Sequence, residues 1–546
     1  MPGAACQTAR AACAGSTHGP GDMINSQSPR RGPGPPRPPS LAIDALRRVL
    51  QRPGGPPVRC LQTHVSWVLL DGEYAWKVKK PVRLGFLDFT GLDARRQACE
   101  DELRLNRRLA PQLYLDVVAL RGRPSAPRIG GRGPVFEHAL RMRQFPDDAL
   151  LGRRLAAGSL DGATLDRLGA RLAAFHLQAP RADASTGYGS PRAIVQATAR
   201  VLDELRACGG DPRLAAVAGW CAAEGRALRR AFATRKRDGW VREGHGDLHL
   251  DNLIALGDEV TAFDCIEFDP ALRWIDVQSD IAFVVMDLHA HGRADLAWRF
   301  LDRWLEGSGD FGGLAVLRYY AVYRALVRAL VSRLRRAEGL PAPGPDYLAS
   351  ADALSRARDP RLLLTHGPSG SGKSLVAQRL LEAAGAVRLR SDVERKRLFG
   401  LGALESTHAL GASAYAAAAT RRTYARLRRA AGAALRAGCR VIVDAAFLDA
   451  RERRGFADLA DRLDVPLTIL DCHAEAALLR ARVAARLRRA DDASEADCAV
   501  LERQLRRAQA LQPDEQDVRI EVDTGAAIDV AAIAARWLAA RPAGRR

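Results

Sequence analysis

The sequence predicts a multidomain protein of mixed α/β and α+β class. A small mixed lobe leads into a mostly helical lobe, and a parallel β-sheet flanked by helices follows. Three observations predict this. At 546 residues the chain exceeds what one hydrophobic core supports, which implies two or three domains. Strand-like runs cluster early, and helical periodicity dominates from about 161 to 336. Beyond 361 helices alternate with short β-rich runs ("AVRLRS", "CRVIVDA", "PLTILDC", "VRIEVDT"), the pattern of parallel strands joined by helical crossovers.

Taken in order, residues 1–40 are rich in Pro, Gly and Ser, which predicts a disordered tail. The tail lacks the uninterrupted apolar stretch of a secretory leader, and Met23 offers an internal start. A mitochondrial-type presequence is the weaker alternative, since the tail contains Arg and few acids but is not amphipathic. "SLAIDALRRVLQR" (40–52) has helical periodicity, and "VSWVLLDGEYAWKVKK" (65–80) reads as a hairpin around Asp71-Gly72. "DARRQACEDELRLNRRLA" (93–110) is helical; "LYLDVVALR" and "VFEHALRMRQF" return to strand. The proline-containing 337–360 segment marks the best boundary. The expected division is therefore a first domain over 41–345, a linker over 346–360 and a second domain over 361–546. The proline-rich segment 340–346 predicts a semi-rigid spacer, with each half folding alone.

Composition narrows the function. No run of about 18 uncharged apolar residues exists, so no helix is expected to span a membrane. Ten scattered cysteines, without CxxC pairs or zinc spacing, fit a reducing, cytoplasmic setting. The net charge of +20 invites nucleic acid, but aromatics are only 6% and the arginines are spread along helices, so a nucleic-acid partner is not expected. Only six lysines occur (Lys77, Lys79, Lys80, Lys236, Lys373 and Lys396). Where Arg is the default cation, a Lys marks a position that needs one.

Two stretches carry chemistry. In "HGDLHLDN" (245–252), Asp247 and Asn252 stand five apart, as in the D-x-x-x-x-N catalytic loop of protein kinases, and Asp264 follows in "AFDCIEFD". Phosphoryl transfer asks a protein to position a hydroxyl and neutralise phosphate charge. Asp247 would orient and deprotonate the hydroxyl, while Asn252 and Asp264 offer the oxygen ligands that Mg²⁺ requires. Upstream, Lys77 lies on a strand after a hairpin, and Glu102 on the next helix is its candidate ion-pair partner. Lys79 shares that strand face, so spacing alone leaves the two lysines unresolved. A lone Asp-x4-Asn is ordinary loop chemistry; the order of all five elements is what points to a site.

These residues resemble the aminoglycoside phosphotransferase and choline kinase-like family over roughly 41–345. The resemblance implies a protein-kinase-like bilobal fold that phosphorylates small-molecule hydroxyls with ATP. It implies Asp247 as base, Asn252 and Asp264 on the metal, Lys77 and Glu102 as the ATP clamp, and His245 as a structural support of the loop. No G-x-G-x-x-G lies over the phosphates, and no acidic cluster announces an aminoglycoside pocket.

"GPSGSGKS" (367–374) satisfies G-x-x-x-x-G-K-[ST]. Gly367, Pro368, Ser369, Gly370, Ser371 and Gly372 form a loop whose backbone N–H groups wrap phosphates. Lys373 reaches their charge, and Ser374 offers its hydroxyl to Mg²⁺. Asp444, ending the buried run "VIVDA", is the expected metal-side carboxylate. Asp392 is a candidate acceptor contact, although Ser391 and Glu394 also read as a helix capping box. Arg482 and Arg486, four apart, are candidate lid cations, with a solvated face as the simpler reading. Residues 361–546 resemble the P-loop kinases of the gluconate kinase, zeta-toxin and polynucleotide kinase-like group. The whole is similar to a bacterial fusion of these two domain types. Three readings stand: two ATP–Mg²⁺ kinases acting on small-molecule hydroxyls, a kinase-like regulator of a P-loop enzyme, or a P-loop half acting on nucleic-acid ends. The intact Asp247/Asn252/Asp264 set favours the first.

Overall fold

The computed structural model describes residues 43–84, 87–407, 416–489 and 492–541; the expected tail over 1–40 lies outside them. The first half opens with the helix Ile43–Leu50 and a six-stranded antiparallel sheet. Its strands lie in the order Arg59–Gln62, Ser66–Leu70, Tyr74–Lys79, Val135–Arg143, Tyr114–Arg123, Ala126–Ile129. The expected Asp-Gly hairpin forms because Asp71 Oδ1 accepts from the Glu73 and Tyr74 N–H groups. Gly72 supplies the positive φ of +96° there. Strand alternation buries Leu69, Trp76 and Val78 against the Ile43–Leu50 helix on one face. On the other face Val68, Ala75 and Leu140 pack toward Cys99 of the helix Leu92–Arg107.

The helical lobe is built on two long buried helices, Val277–Ala290 and Leu314–Ala337, with Ala294–Ser308 packed on the first of them and Gly162–Gln178 packed on Ala294–Ser308. The first half is a bilobal, kinase-like fold. In the second half five parallel strands lie in the order Ala386–Arg390, Arg440–Asp444, Arg361–His366, Leu467–His473, Arg519–Asp523. The phosphate loop leaves the C-terminal end of the central strand, where open α/β sheets place ligands.

Two expectations are corrected. The stretch read as a linker contains the helix Tyr347–Arg356, capped by Asp346 and burying Tyr347, Leu348 and Ala351 on the helical lobe. The chain is irregular over the proline-containing 340–346 before the helix and over 357–360 after it; "DYLASADALSR" carries an apolar face that must be covered. The halves are also not separated by a spacer. One hydrophobic cluster runs from Leu165 and Leu301 through Leu314 to Leu427 and Val443. Ion pairs reinforce it: Arg299–Glu382 at 3.2 Å and Arg388–Asp302 at 2.9 Å.

Candidate active sites

The first site lies between the two lobes. Lys77 Nζ donates to Glu102 Oε1 at 2.6 Å and to Asp264 Oδ1 at 2.7 Å. Lys79 Nζ donates instead to Glu102 Oε2 at 2.6 Å and to Glu267 Oε1 at 2.5 Å. The Lys79 side chain is 0% exposed and that of Asp264, beside Lys77, 17%. Lys77 therefore meets the cleft, whereas Lys79 is sealed behind it. Burial acts to lower both ammonium pKa values, and the surrounding carboxylates outweigh it, so both remain charged. At Asp264 burial acts upward and the Lys77 charge outweighs it, leaving the carboxyl below its ordinary value. Asp264 also sits at φ +63°, uncommon for a non-glycine residue, with its N–H donated to Tyr114 Oη at 3.0 Å.

The "HGDLHLDN" loop is held from beneath. Asp280 Oδ2 accepts from the His245 N–H at 2.7 Å and Asp280 Oδ1 from the Gly246 N–H at 2.8 Å. Gly246 is at φ +89°, and a Cβ there would lie 2.6 Å from the Leu272 carbonyl oxygen, so the loop requires glycine. His245 is structural as expected, its Nε2 lying 3.0 Å from the Phe263 carbonyl. Asp287 accepts from the Leu250 N–H at 2.9 Å and from Tyr347 Oη at 2.8 Å, tying the Tyr347–Arg356 helix to the loop. Asn252 Nδ2 donates to Asp247 Oδ2 at 3.1 Å, and His249 Nε2 is 3.4 Å from the same oxygen. Burial works against ionisation of Asp247, but His249 and nearby cations hold it below the ordinary carboxylate value. Asp247 Oδ1 and Asn252 Oδ1 are buried with no hydrogen-bond partner.

A cavity of about 250 Å³ adjoins this cluster, lined by Leu61, Leu70, Ala75, Met142, Phe145 and Phe263 among others. Ala75 shares its strand face with Lys77, and Phe263 precedes Asp264. Sequence reasoning did not find this apolar slot. Its walls come from five strands and the 144–147 crossing between lobes, with Arg59, Arg143 and Asp147 among them, and each apolar wall residue reads locally as ordinary core.

The second site gathers around a cavity of about 560 Å³ lined by Ser369, Gly370, Gly372, Lys373, Ser374, Asp392, Asp444, Arg482 and Arg486. Gly367, Gly370 and Gly372 take φ values of +132°, +82° and +78°. A Cβ on Gly367 would come within 2.2 Å of the Cys472 carbonyl oxygen. Lys373 Nζ donates to the Pro368 carbonyl at 2.6 Å and to Ser371 Oγ at 3.3 Å, and burial lowers its pKa. Asp444 Oδ2 is buried without a hydrogen-bond partner. Arg482 is not a free lid cation: it donates to Thr524 Oγ1 at 2.8 Å and to the Thr524 carbonyl at 2.7 Å. Arg486 donates to the Ala496 carbonyl at 2.9 Å. The expected capping box is absent. Ser391 is the first helical residue rather than the cap, and Glu394 is turned to Arg426 and Arg397. Sequence reasoning also missed Arg390, which lines this cavity. Its signal, an Arg two residues before Asp392 at a strand end, was hidden by the abundance of Arg.

The geometry defines a kinase-like cleft and a phosphate-loop site in one chain. Residues 362–511 match the family described as "AAA domain". The chain belongs to the family of the Mycobacterium tuberculosis (strain ATCC 25618 / H37Rv) protein Rv2004c. The two are 32% identical over 436 residues, covering 78% of this chain and 85% of that protein. A choline/ethanolamine kinase family protein from Mesorhizobium loti is 13% identical, with 57% of this chain and 92% of that chain covered at a TM-score of 0.34. A gluconokinase from Sinorhizobium meliloti 1021 is 21% identical, with 33% and 91% covered at a TM-score of 0.24. The sheet orders and the site geometry define the fold of each half. No helix among the described residues is long and apolar enough to cross a membrane.

Proposed function

We propose that the chain is a two-site ATP-dependent phosphotransferase, with a kinase-like unit over 41–345 and a P-loop unit over 361–546, each acting on a small-molecule hydroxyl. The observation that carries this reading is the pair of unpartnered oxygens, Asp247 Oδ1 and Asn252 Oδ1, buried on one loop. A buried oxygen left unpaired is costly unless a ligand completes it. In the proposed reaction the acceptor hydroxyl gives its proton to Asp247 Oδ1. A bond forms from the acceptor oxygen to the γ-phosphorus as the bond to the β,γ-bridging oxygen breaks, and ADP leaves with that electron pair. Lys77, fixed by Glu102, neutralises phosphate charge, and the apolar slot beside it suits a nucleobase. Asn252 Oδ1 with Asp264, and Ser374 with Asp444, present the hard oxygens that Mg²⁺ takes, and the ion would offset charge on the phosphates. In the second site the glycine loop and Lys373 would cradle the phosphates, with Asp392 on the acceptor side.

The test is ATP-dependent phosphorylation of metabolite pools by the wild-type chain, Asp247→Ala and Lys373→Ala. Each variant is expected to lose a different set of phosphorylated products. Loss of the same products in both would mean one composite site, and an unmodified pool in all three would sink the reading.

The lysine pair gives a second expected result. Lys77→Ala should reduce first-site turnover more, because only Lys77 meets Asp264 in the cleft. Lys79→Ala should reduce stability more, by about 3–5 kcal/mol, because it leaves Glu267 buried without its cation. Turnover and urea unfolding measured on both variants check this; the opposite ranking in either measurement refutes it.

A further inference from the structure

The helix Ala294–Ser308 belongs to the helical lobe of the first half, yet it packs on the strand Ala386–Arg390 of the second. Asp302 and Glu306, four apart on that helix, are 3% and 6% exposed. They face Arg388 and Arg390, which strand alternation sets on one side. Arg388 Nη2 lies 2.9 Å from Asp302 Oδ2 and 3.6 Å from Glu306 Oε1, and Arg390 Nη1 lies 3.5 Å from Glu306 Oε1. The same guanidiniums reach the phosphate-loop site. Arg388 Nη1 donates to the Ser374 carbonyl at 3.4 Å. Arg390 Nη2 donates to Asp492 Oδ1 at 3.1 Å, while its Nε stays 3.8 Å from Asp444 Oδ2. That last separation is too long for a hydrogen bond, and Asp444 Oδ2 accepts none.

We infer that Glu306, contributed by the first half, is a positioning residue of the second site: it restrains Arg390 so that Asp444 stays available to a divalent cation. This rests on the reading of 361–546 as a nucleotide–Mg²⁺ site. Arg390 is shared among three carboxylates, Glu306, Asp492 and Asp444. Neutralising Glu306 removes one pull, and the guanidinium moves toward the remaining two. Asp444, whose Oδ2 is unsatisfied, then takes a hydrogen bond from Arg390 and competes less well for the cation. The second site is thus completed across the boundary between the halves, and docking of the helical lobe sets its metal affinity.

The experiment uses the full chain and measures ADP binding as Mg²⁺ is titrated, counting only the component that Lys373→Ala removes. Glu306→Gln is expected to raise the Mg²⁺ concentration for half-maximal binding by about tenfold. In the double variant Glu306→Gln/Arg390→Gln that increase should vanish relative to Arg390→Gln alone, because the competing guanidinium is gone. Glu306→Asp, which keeps the charge, should stay near wild type and serves if Glu306→Gln does not fold; a Mg²⁺ midpoint in Glu306→Asp shifted as far as tenfold would count against the inference. A Glu306 that merely holds the interface would lower the unfolding midpoint and leave the Mg²⁺ midpoint unmoved, or shift it equally with and without Arg390; either result overturns the inference. Wild-type chain without any Lys373-dependent ADP binding would overturn the nucleotide reading itself, and this inference with it.

Discussion

Asp247→Ala is expected to lower first-site phosphoryl transfer by about 10²–10⁴-fold while nucleotide still binds. The two consequences separate because the parts are separate. Asp247 Oδ1 is the unpartnered acceptor on the loop, whereas Lys77, Glu102 and Asp264 form their own ion-pair cluster across the cleft. Removing the carboxylate also takes a hydrogen-bond acceptor from Asn252 Nδ2, but that amide keeps the Asp247 backbone carbonyl at 3.0 Å. The loop itself stays anchored by Asp280 through the His245 and Gly246 N–H groups. The measurement is single-turnover transfer in a Lys373→Ala background, which silences the second site, beside ADP binding to the same protein. Undiminished transfer would remove Asp247 from the role of base. Lost binding with lost transfer would place it among the nucleotide contacts instead.

Expressing 41–345 and 355–546 as separate chains is expected to destabilise both fragments, the second more. The cut leaves Arg388, 6% exposed, without Asp302, and strips Glu306 from Arg390. Uncovering half of a buried ion pair costs about 3–5 kcal/mol, a large share of the roughly 5–15 kcal/mol that stabilises a domain. Apolar surface is uncovered as well, since Leu301 and Leu314 share one cluster with Leu427 and Val443. Trp298 would lose the backbone of Gly385, where even a Cβ would sit 2.7 Å from its Nε1. Thermal unfolding of each fragment, alone and mixed, reads this directly, and mixing should raise the midpoints. Fragments as stable as the full chain, with mixing indifferent, would restore the spacer expected from the prolines.

The sites differ in how far the sequence discloses them. The phosphate loop was legible to the residue because its requirements are local. Three positive-φ glycines and a lysine at a helix start are demands of consecutive backbone, so they are written consecutively. Asp247 and Asn252 were legible for a related reason: both project from one short loop, and their spacing is the loop's geometry. Lys77 and Lys79 were not separable, because period-two alternation puts them on the same face. Asp264 and Glu267, nearly two hundred residues further along the chain, distinguish them.

By itself, then, the sequence determined most of the order of strands and helices, the bilobal first half, the parallel-sheet second half and the places of the "HGDLHLDN" and "GPSGSGKS" loops. These follow from hydrophobic period and backbone conformation, which act over a few residues. Tertiary structure alone decided which lysine meets the cleft, where the apolar slot opens, that 347–356 is a packed helix, and that the halves dock through Asp302 and Glu306. The reason is electrostatic and geometric. A chain with 83 basic residues offers a guanidinium almost everywhere, so the meaning of Arg390 lies in its partner. That partner, Glu306, is 84 residues away in the chain and is brought within 3.5 Å only by folding.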